Sequence, residues 1–145
     1  MIRRYGDAPQ NGHRYVLRPG AYAILPRDGR LLLTYQAEPH CEVQLPGGGI
    51  DPGESPVQAL HREVFEETGW RIAAPRRVGV FRRFVYMPEY GINAEKVCHI
   101  YAAHPVRAHG APTEEGHMAI WLTPQDAMGE LYNAGDVDFV RRLFG

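Results

Sequence analysis

The sequence predicts an α/β domain in which a mixed β-sheet lies between helices. Three observations carry this: short strand-like apolar runs precede one strongly marked helix, similar runs follow it, and two short helical segments close the chain. With 145 residues, the chain is expected to form one domain over residues 1–145 and to bury about two thirds of its unfolded surface, enough for a real core.

The elements follow in order. Residues 21–25 and 30–35 alternate as strands do, and Asp28-Gly29 between them is a strong hairpin signal. Residues 43–45 form a short strand that enters Pro46-Gly47-Gly48-Gly49, a stretch unsuited to a helix or a central strand and expected to be a loop. Ser55, Pro56 and Gln58 supply an N-cap, a first-turn proline and a capping-box partner, so a helix is expected from Ser55 to a left-handed cap at Gly69. Residues 78–86 and 97–103 predict a second antiparallel pair, joined through Pro88, Gly91 and Asn93. Residues 119–122 predict a last strand, and residues 124–131 and 137–144 two short helices.

The helix breaks good design on one face. At about 100° per residue, Val57, Leu60, Val64 and Thr68 make an apolar stripe, while Glu63, Glu66 and Glu67 share the adjacent face. Carboxylates at these spacings repel, and in the C-terminal half of a helix the macrodipole disfavours them further. Arg62, four residues before Glu66, offsets part of this. Three glycines that let backbone approach an ion, with Glu54 at the loop-helix junction, complete an all-oxygen environment suited to Mg²⁺ or Mn²⁺ rather than Zn²⁺.

From Gly48 the order is five residues, Glu54, seven residues, Arg62, Glu63, Val64, one residue, Glu66, Glu67, one residue, Gly69 and Trp70. This resembles the box of the Nudix (MutT-like) hydrolases, with every charged and glycine position filled. Trp70 stands where the family usually has an aliphatic residue, so altered packing is expected there. The resemblance implies a Nudix-like α/β/α sandwich with the box as loop and helix. It implies metal binding by Glu63, Glu66, Glu67 and the Gly47 carbonyl, with Arg62 and Glu54 orienting the acids and Gly48 and Gly69 shaping the box. It implies Mg²⁺ (or Mn²⁺) as cofactor and hydrolysis of a diphosphate linkage in a nucleoside diphosphate derivative or nucleoside triphosphate. A bound cation there would bridge phosphate oxygens and acidify a water.

Other Nudix hydrolases use a glutamate shortly before the last strand; Glu115, six residues before Trp121, is the expected counterpart. Glu63, Glu115 and His117 all remain candidates for the base. Nucleotide substrates need stacking surfaces and cations for phosphates. Tyr22, Tyr35, Phe84, Tyr86, Tyr90 and Tyr101 are available, and Arg82 and Arg83, adjacent on a strand, must point to opposite faces. Tyr86 and Pro88 both sit near positions that mark subgroups, one for dinucleoside polyphosphates and one for ADP-ribose, so the substrate stays open. A nucleotide-sugar hydrolase and a non-catalytic nucleotide-binding module are the alternatives, the latter disfavoured by the intact box. An unrelated domain with a solvated acidic helix is the blandest reading.

Composition agrees with a small-molecule enzyme. The net charge of −1 and the dispersed arginine pairs give no nucleic-acid footprint. Lys96 is the only lysine, a bias ascribed to genome composition. Cys41 and Cys98 have no metal-ligand spacing and are expected to be free thiols. No apolar run suggests a membrane span or leader, so a cytoplasmic protein is expected, and Nudix domains are often homodimers. No GxSxG, Walker A, HExxH or EF-hand pattern is present, which removes serine and HExxH-type zinc hydrolysis.

Overall fold

The computed structural model describes residues 1–145. In chain order its elements are β1 (Arg3–Arg4), β2 (Tyr15–Ile24), β3 (Pro26–Arg27), β4 (Arg30–Gln36), β5 (Glu42–Gln44), β6 (Gly47–Gly49), α1 (Pro56–Thr68), β7 (Trp70–Met87), β8 (Ile92–Ala108), β9 (His117–Leu122), α2 (Pro124–Glu130) and α3 (Ala134–Phe144). Five strands form a mixed sheet in the order β1-β7-β8-β2-β6, with β2 parallel to β8 and β7 antiparallel to it. A second, smaller sheet is centred on β4, which pairs antiparallel with β9, β3 and β5.

Alternation along the strands creates two cores. On one side Ala21, Ala23 and Leu25 of β2 and its exit, with Leu32 of β4, meet Leu60 and Val64 of α1. On the other, Ile24, Leu31 and Leu33 meet Phe139 and Val140 of α3 and Ala127 of α2. Successive residues of one strand therefore serve opposite helix layers, and the α/β/α sandwich expected from the sequence follows.

The helix stands where its caps place it. Ser55 accepts from the Gln58 amide at 3.1 Å while the Gln58 side chain accepts from the Ser55 amide at 2.8 Å. Gly69 closes the helix at φ 77°.

Three local expectations need correction. The Asp28-Gly29 turn forms, but β3, not residues 21–25, is the ladder partner of β4; residues 21–24 belong to β2, which pairs with β8 in the other sheet. The glycine triplet is an edge strand, β6, antiparallel to Gly20–Tyr22, since an edge tolerates residues without side chains that a central strand would need. Strands β7 and β8 run well beyond the predicted spans. Bulges between Arg71/Ile72, Ala73/Arg76 and Arg77/Gly79 absorb the irregular stretch around Pro75 and so hide the alternation from a sequence reading.

Phe81, fully buried on β7, holds α3 to the sheet. Its ring stacks on Phe139 at 5.9 Å and meets Tyr5 edge-on at 5.4 Å. A Cβ on Gly135 of α3 would lie 2.3 Å from the Phe81 ring, so the helix approaches there as closely as glycine permits. Phe81→Ala is expected to lower stability by about 3–5 kcal/mol in urea unfolding; a loss below about 1 kcal/mol would show that the ring does not anchor this layer.

Candidate active site

The box is assembled from both ends of α1. At its C-terminus the Gly69 carbonyl accepts from the His109 amide at 2.8 Å, and the Glu66 carbonyl accepts from the Glu114 amide at 2.9 Å. These bonds satisfy carbonyls that a helix end leaves free and pin the 109–116 segment over the acidic face. Gly69 is required twice: its φ is positive, and a Cβ there would lie 2.1 Å from the Gly110 carbonyl oxygen.

Arg62 ties the parts together. Its Nε and Nη2 donate to the two oxygens of Glu54 at 2.7 and 2.8 Å. Nη1 donates to Glu63 at 2.7 Å and Glu66 at 3.0 Å, and Nη2 reaches the Gly49 carbonyl at 3.0 Å. One guanidinium thus joins the glycine strand, the loop and the helix in the fork geometry that lysine lacks. The bonds from Arg62, with one from the Asp51 amide, lower the Glu54 carboxyl to about 2.

Glu67 is the deepest acid of the box, 4% exposed, and its Oε1 accepts from the Gly47 amide at 3.0 Å. Gly48 lies against Glu63; a Cβ on it would fall 2.5 Å from the Glu63 carboxylate, so that carboxylate occupies the space a side chain would take. Burial raises the Glu67 carboxyl well above the usual range, the Gly47 amide pulls it back, and Glu63 and Glu114 push it further up. Glu63 is raised by burial against the pull of Arg62, and Glu114 by burial together with Glu63 and Glu66.

The structure brings Glu114 to this cluster, not Glu115. Oxygens of Glu63, Glu66 and Glu114 lie within 4.8 Å of one another, and Glu67, Glu114 and His117 form a second such group. Glu115 is exposed and belongs to neither. The Glu114 amide bond to Glu66 settles which of two adjacent acids faces inward, and no spacing rule in the sequence contains that bond. Trp70 packs edge-on against Trp121 at 5.3 Å, with the Arg27 guanidinium over its ring. The family departure at this position is thus accommodated by aromatic packing.

A cleft of about 840 Å³ opens from the acidic cluster along the α2/α3 side of the mixed sheet. Arg83 lines it; Arg82 does not, and instead faces Glu95 at 3.5 Å. Arg83 sits opposite Lys96 on β8, which sits opposite Arg18 on β2, so three cations form one rung across three strands. All three line the cleft, and like charges in register repel. Tyr22, Phe84, Tyr86 and Tyr90 also line it, while Tyr101 is a core residue and Tyr35 lies elsewhere. Sequence reading missed the rung because it depends on register. It also missed Asp136, a buried acid at the start of α3 that reaches the same cleft. The one lysine was the available signal.

A NUDIX domain model matches residues 15–143. The chain belongs to the Nudix family. This Nudix domain is 35% identical over 130 residues to a CMP-5'-(N-acetyl-N-hydroxy-3-aminopropyl)phosphonate hydrolase of Streptomyces rubellomurinus, covering 85% of this chain but only 60% of that protein. It is 31% identical over 110 residues to a CTP pyrophosphohydrolase of Escherichia coli, covering 73% of this chain and 76% of the relative. In fold it is similar to the MutT protein of Bacillus halodurans, with a TM-score of 0.71 at 21% identity, covering 87% of this chain and 81% of that one. No helix of the Nudix domain is long and apolar enough to cross a membrane.

Asp136 gives the site a pH signature separate from the box. Burial raises its carboxyl from 3.8 to about 6, against the pull of Arg83. A raised acid holds its proton more tightly when folded, so its charge costs stability as pH climbs from about 4 to 6, by at most about 3 kcal/mol, and the cost is constant above that window. Relative to the wild type, Asp136→Asn should therefore gain stability between about pH 4 and 6 and run parallel above pH 7. Thermal unfolding of both proteins across pH checks this; a stability difference that is flat from pH 4 to 6 would contradict it.

Proposed function

We propose that this Nudix domain hydrolyses a diphosphate linkage in a small nucleotide, using a divalent cation, Mg²⁺ or Mn²⁺. One observation carries the reading: a cluster of carboxylates, which a cation among them would stabilise, opens onto the same cleft as a rung of three cations that the single buried Asp136 only partly offsets. A metal-bound polyphosphate ester satisfies both poles.

The donor set fits the cation. Glu63, Glu66 and Glu67 with the Gly47 carbonyl would hold it, with Glu114 of the pinned segment alongside, and these are the oxygen ligands that Mg²⁺ prefers. When bound, the ion would neutralise charge on the diphosphate and acidify a water. The protein does the rest. Arg62 keeps the acids from spreading, and Gly48 leaves room for the Glu63 carboxylate beside the strand. Arg18, Lys96 and Arg83 bind and orient phosphate oxygens away from the cation. Glu114 makes no side-chain hydrogen bond and is 45% exposed towards the cleft, so it takes the proton of the attacking water; Glu63 is held by Arg62 and Glu115 lies outside.

A nucleoside di- or triphosphate derivative is favoured as substrate. The names of two relatives, a CTP pyrophosphohydrolase and a CMP-phosphonate hydrolase, both point to cytidine nucleotides. The aromatic rings of Tyr86 and Tyr90 at the cleft supply stacking surfaces for a base.

The test is a panel of nucleoside triphosphates, nucleotide sugars, ADP-ribose and dinucleoside polyphosphates with Mg²⁺ or Mn²⁺, following nucleoside monophosphate release. Turnover is expected on at least one cytidine or related nucleotide, and Glu66→Gln should reduce it by roughly 100-fold or more with little change in thermal stability. Bound nucleotide without turnover on any member would instead favour a binding module.

A further inference from the structure

No ion pair of the chain involves Arg18, Lys96 or Arg83. The buried Asp136 is fixed in α3, where its carboxylate accepts from the Leu45 amide at 3.5 Å. A second acid, Glu89, lies on the turn between β7 and β8, at the end of the hairpin that carries Arg83 and Lys96, and it lines the same cleft. This turn comes close to the rung: the Arg18 guanidinium carbon stands 4.7 Å from the ring centre of Tyr90, the next residue. Charge already acts between turn and rung. Burial pushes the Glu89 carboxyl up, but the His40 hydrogen bond, its own amide and the Lys96 ammonium bring it below the usual value. A carboxylate left free there would compete with phosphate for the three cations.

Its partner stands on the other wall. His40, on the turn between β4 and β5 of the smaller sheet, donates from Nε2 to Glu89 Oε2 at 2.8 Å. The His40 Nδ1 lies 3.7 Å from Glu42 Oε2 on β5, so the ring is set between an acid of its own wall and an acid of the opposite one. Glu42 is held in turn by the Gln44 side chain at 3.0 Å. His40, Glu42 and Glu89 all line the cleft, and the bond from His40 to Glu89 crosses it from one sheet to the other. Both partners are sheltered, His40 at 20% exposure and Glu89 at 35%, which protects the bond from full solvent screening.

We propose that His40 is a positioning residue: it holds the Glu89 carboxylate on the far side of the cleft, off Arg18, Lys96 and Arg83, so that the rung stays open to the phosphates of an incoming nucleotide. The inference rests on the reading of this cleft as a nucleotide site. It assigns His40 no contact with substrate and no part in the chemistry. A partly exposed ion pair shifts an equilibrium by about two- to fivefold, so a released Glu89 would weaken phosphate binding by about that factor.

The probe is CTP with Mg²⁺ added to the full chain, with Kd from calorimetry and KM read beside kcat. His40→Ala should raise Kd and KM by about two- to fivefold and leave kcat within about twofold. Adding Glu89→Gln to that variant should restore the wild-type values, a rescue that loss of mere loop structure would not allow. Glu89→Gln alone should bind CTP no more weakly than the wild type. Unaltered binding in His40→Ala, or weakening that Glu89→Gln does not reverse, would overturn the proposal and leave the hydrolase reading standing. If His40→Ala does not fold, the single Glu89→Gln variant decides, since weaker binding there would show that Glu89 itself serves the ligand. Failure of the wild type to bind CTP, ATP, GTP or UTP would overturn both readings.

Discussion

The Arg62 guanidinium is the interaction on which the rest of the site depends. Without it, Glu63 and Glu66 of the helix and Glu54 of the preceding loop would meet on one side with only water to separate their charges. The five hydrogen bonds it makes do two things together: they offset repulsion among acids, and through Gly49 they fix the helix to the edge strand β6. The distance between helix and glycine strand is thereby set, and the close approach of Gly47 to Glu67 and of Gly48 to Glu63 becomes possible. Lysine at this position would supply charge without the fork.

That brace works because the sheet beneath it is rigid. Strand β2 carries three duties at once: Ala21 and Ala23 pack against α1, Ile24 packs towards α3, and the backbone of Gly20–Tyr22 holds β6 by antiparallel pairing. Small residues at 20, 21 and 23 let helix, strand and glycine segment crowd together. A Cβ on Gly47 would lie 2.1 Å from the Ala21 carbonyl oxygen, so even alanine is excluded there. Sequence features that look like weak β-formers are thus explained by approach distance rather than by strand propensity.

Legibility of the chain follows the range of the interactions. The helix, its capping box and its left-handed end are set by neighbours within one or two turns and were readable from spacing, whereas the brace of Arg62 on Glu54 was expected from the family resemblance. The strands were readable as strands but not by length or partner: bulges around Pro75 break the alternation of β7, and the parallel pairing of β2 with β8 joins residues about eighty positions apart. The same limit applies to the site. Glu114 rather than Glu115 faces the acids because of a backbone bond to Glu66, and Arg83 rather than Arg82 faces the cleft because of strand register. The arginine pair was left open in the sequence, whereas Glu115 was expected where Glu114 stands; in each the member is decided by tertiary geometry.

The two poles of the cleft explain why such a site can exist at all. Crowded carboxylates at one end, of which Glu67 is buried, and in-register cations at the other are each unfavourable in isolation, and they are held apart by strands whose cores are fully packed. If they could meet, they would neutralise one another and close the cleft. The sheet forbids this for the box: the cationic rung lies on β2, β7 and β8 with Asp136 of α3 as its one buried counter-charge, whereas the box acids stand on α1 and the segment pinned to its end. Folding energy from the two apolar cores therefore maintains a separation of charge, and a ligand that is itself divided into cation and polyanion is the species best suited to occupy it.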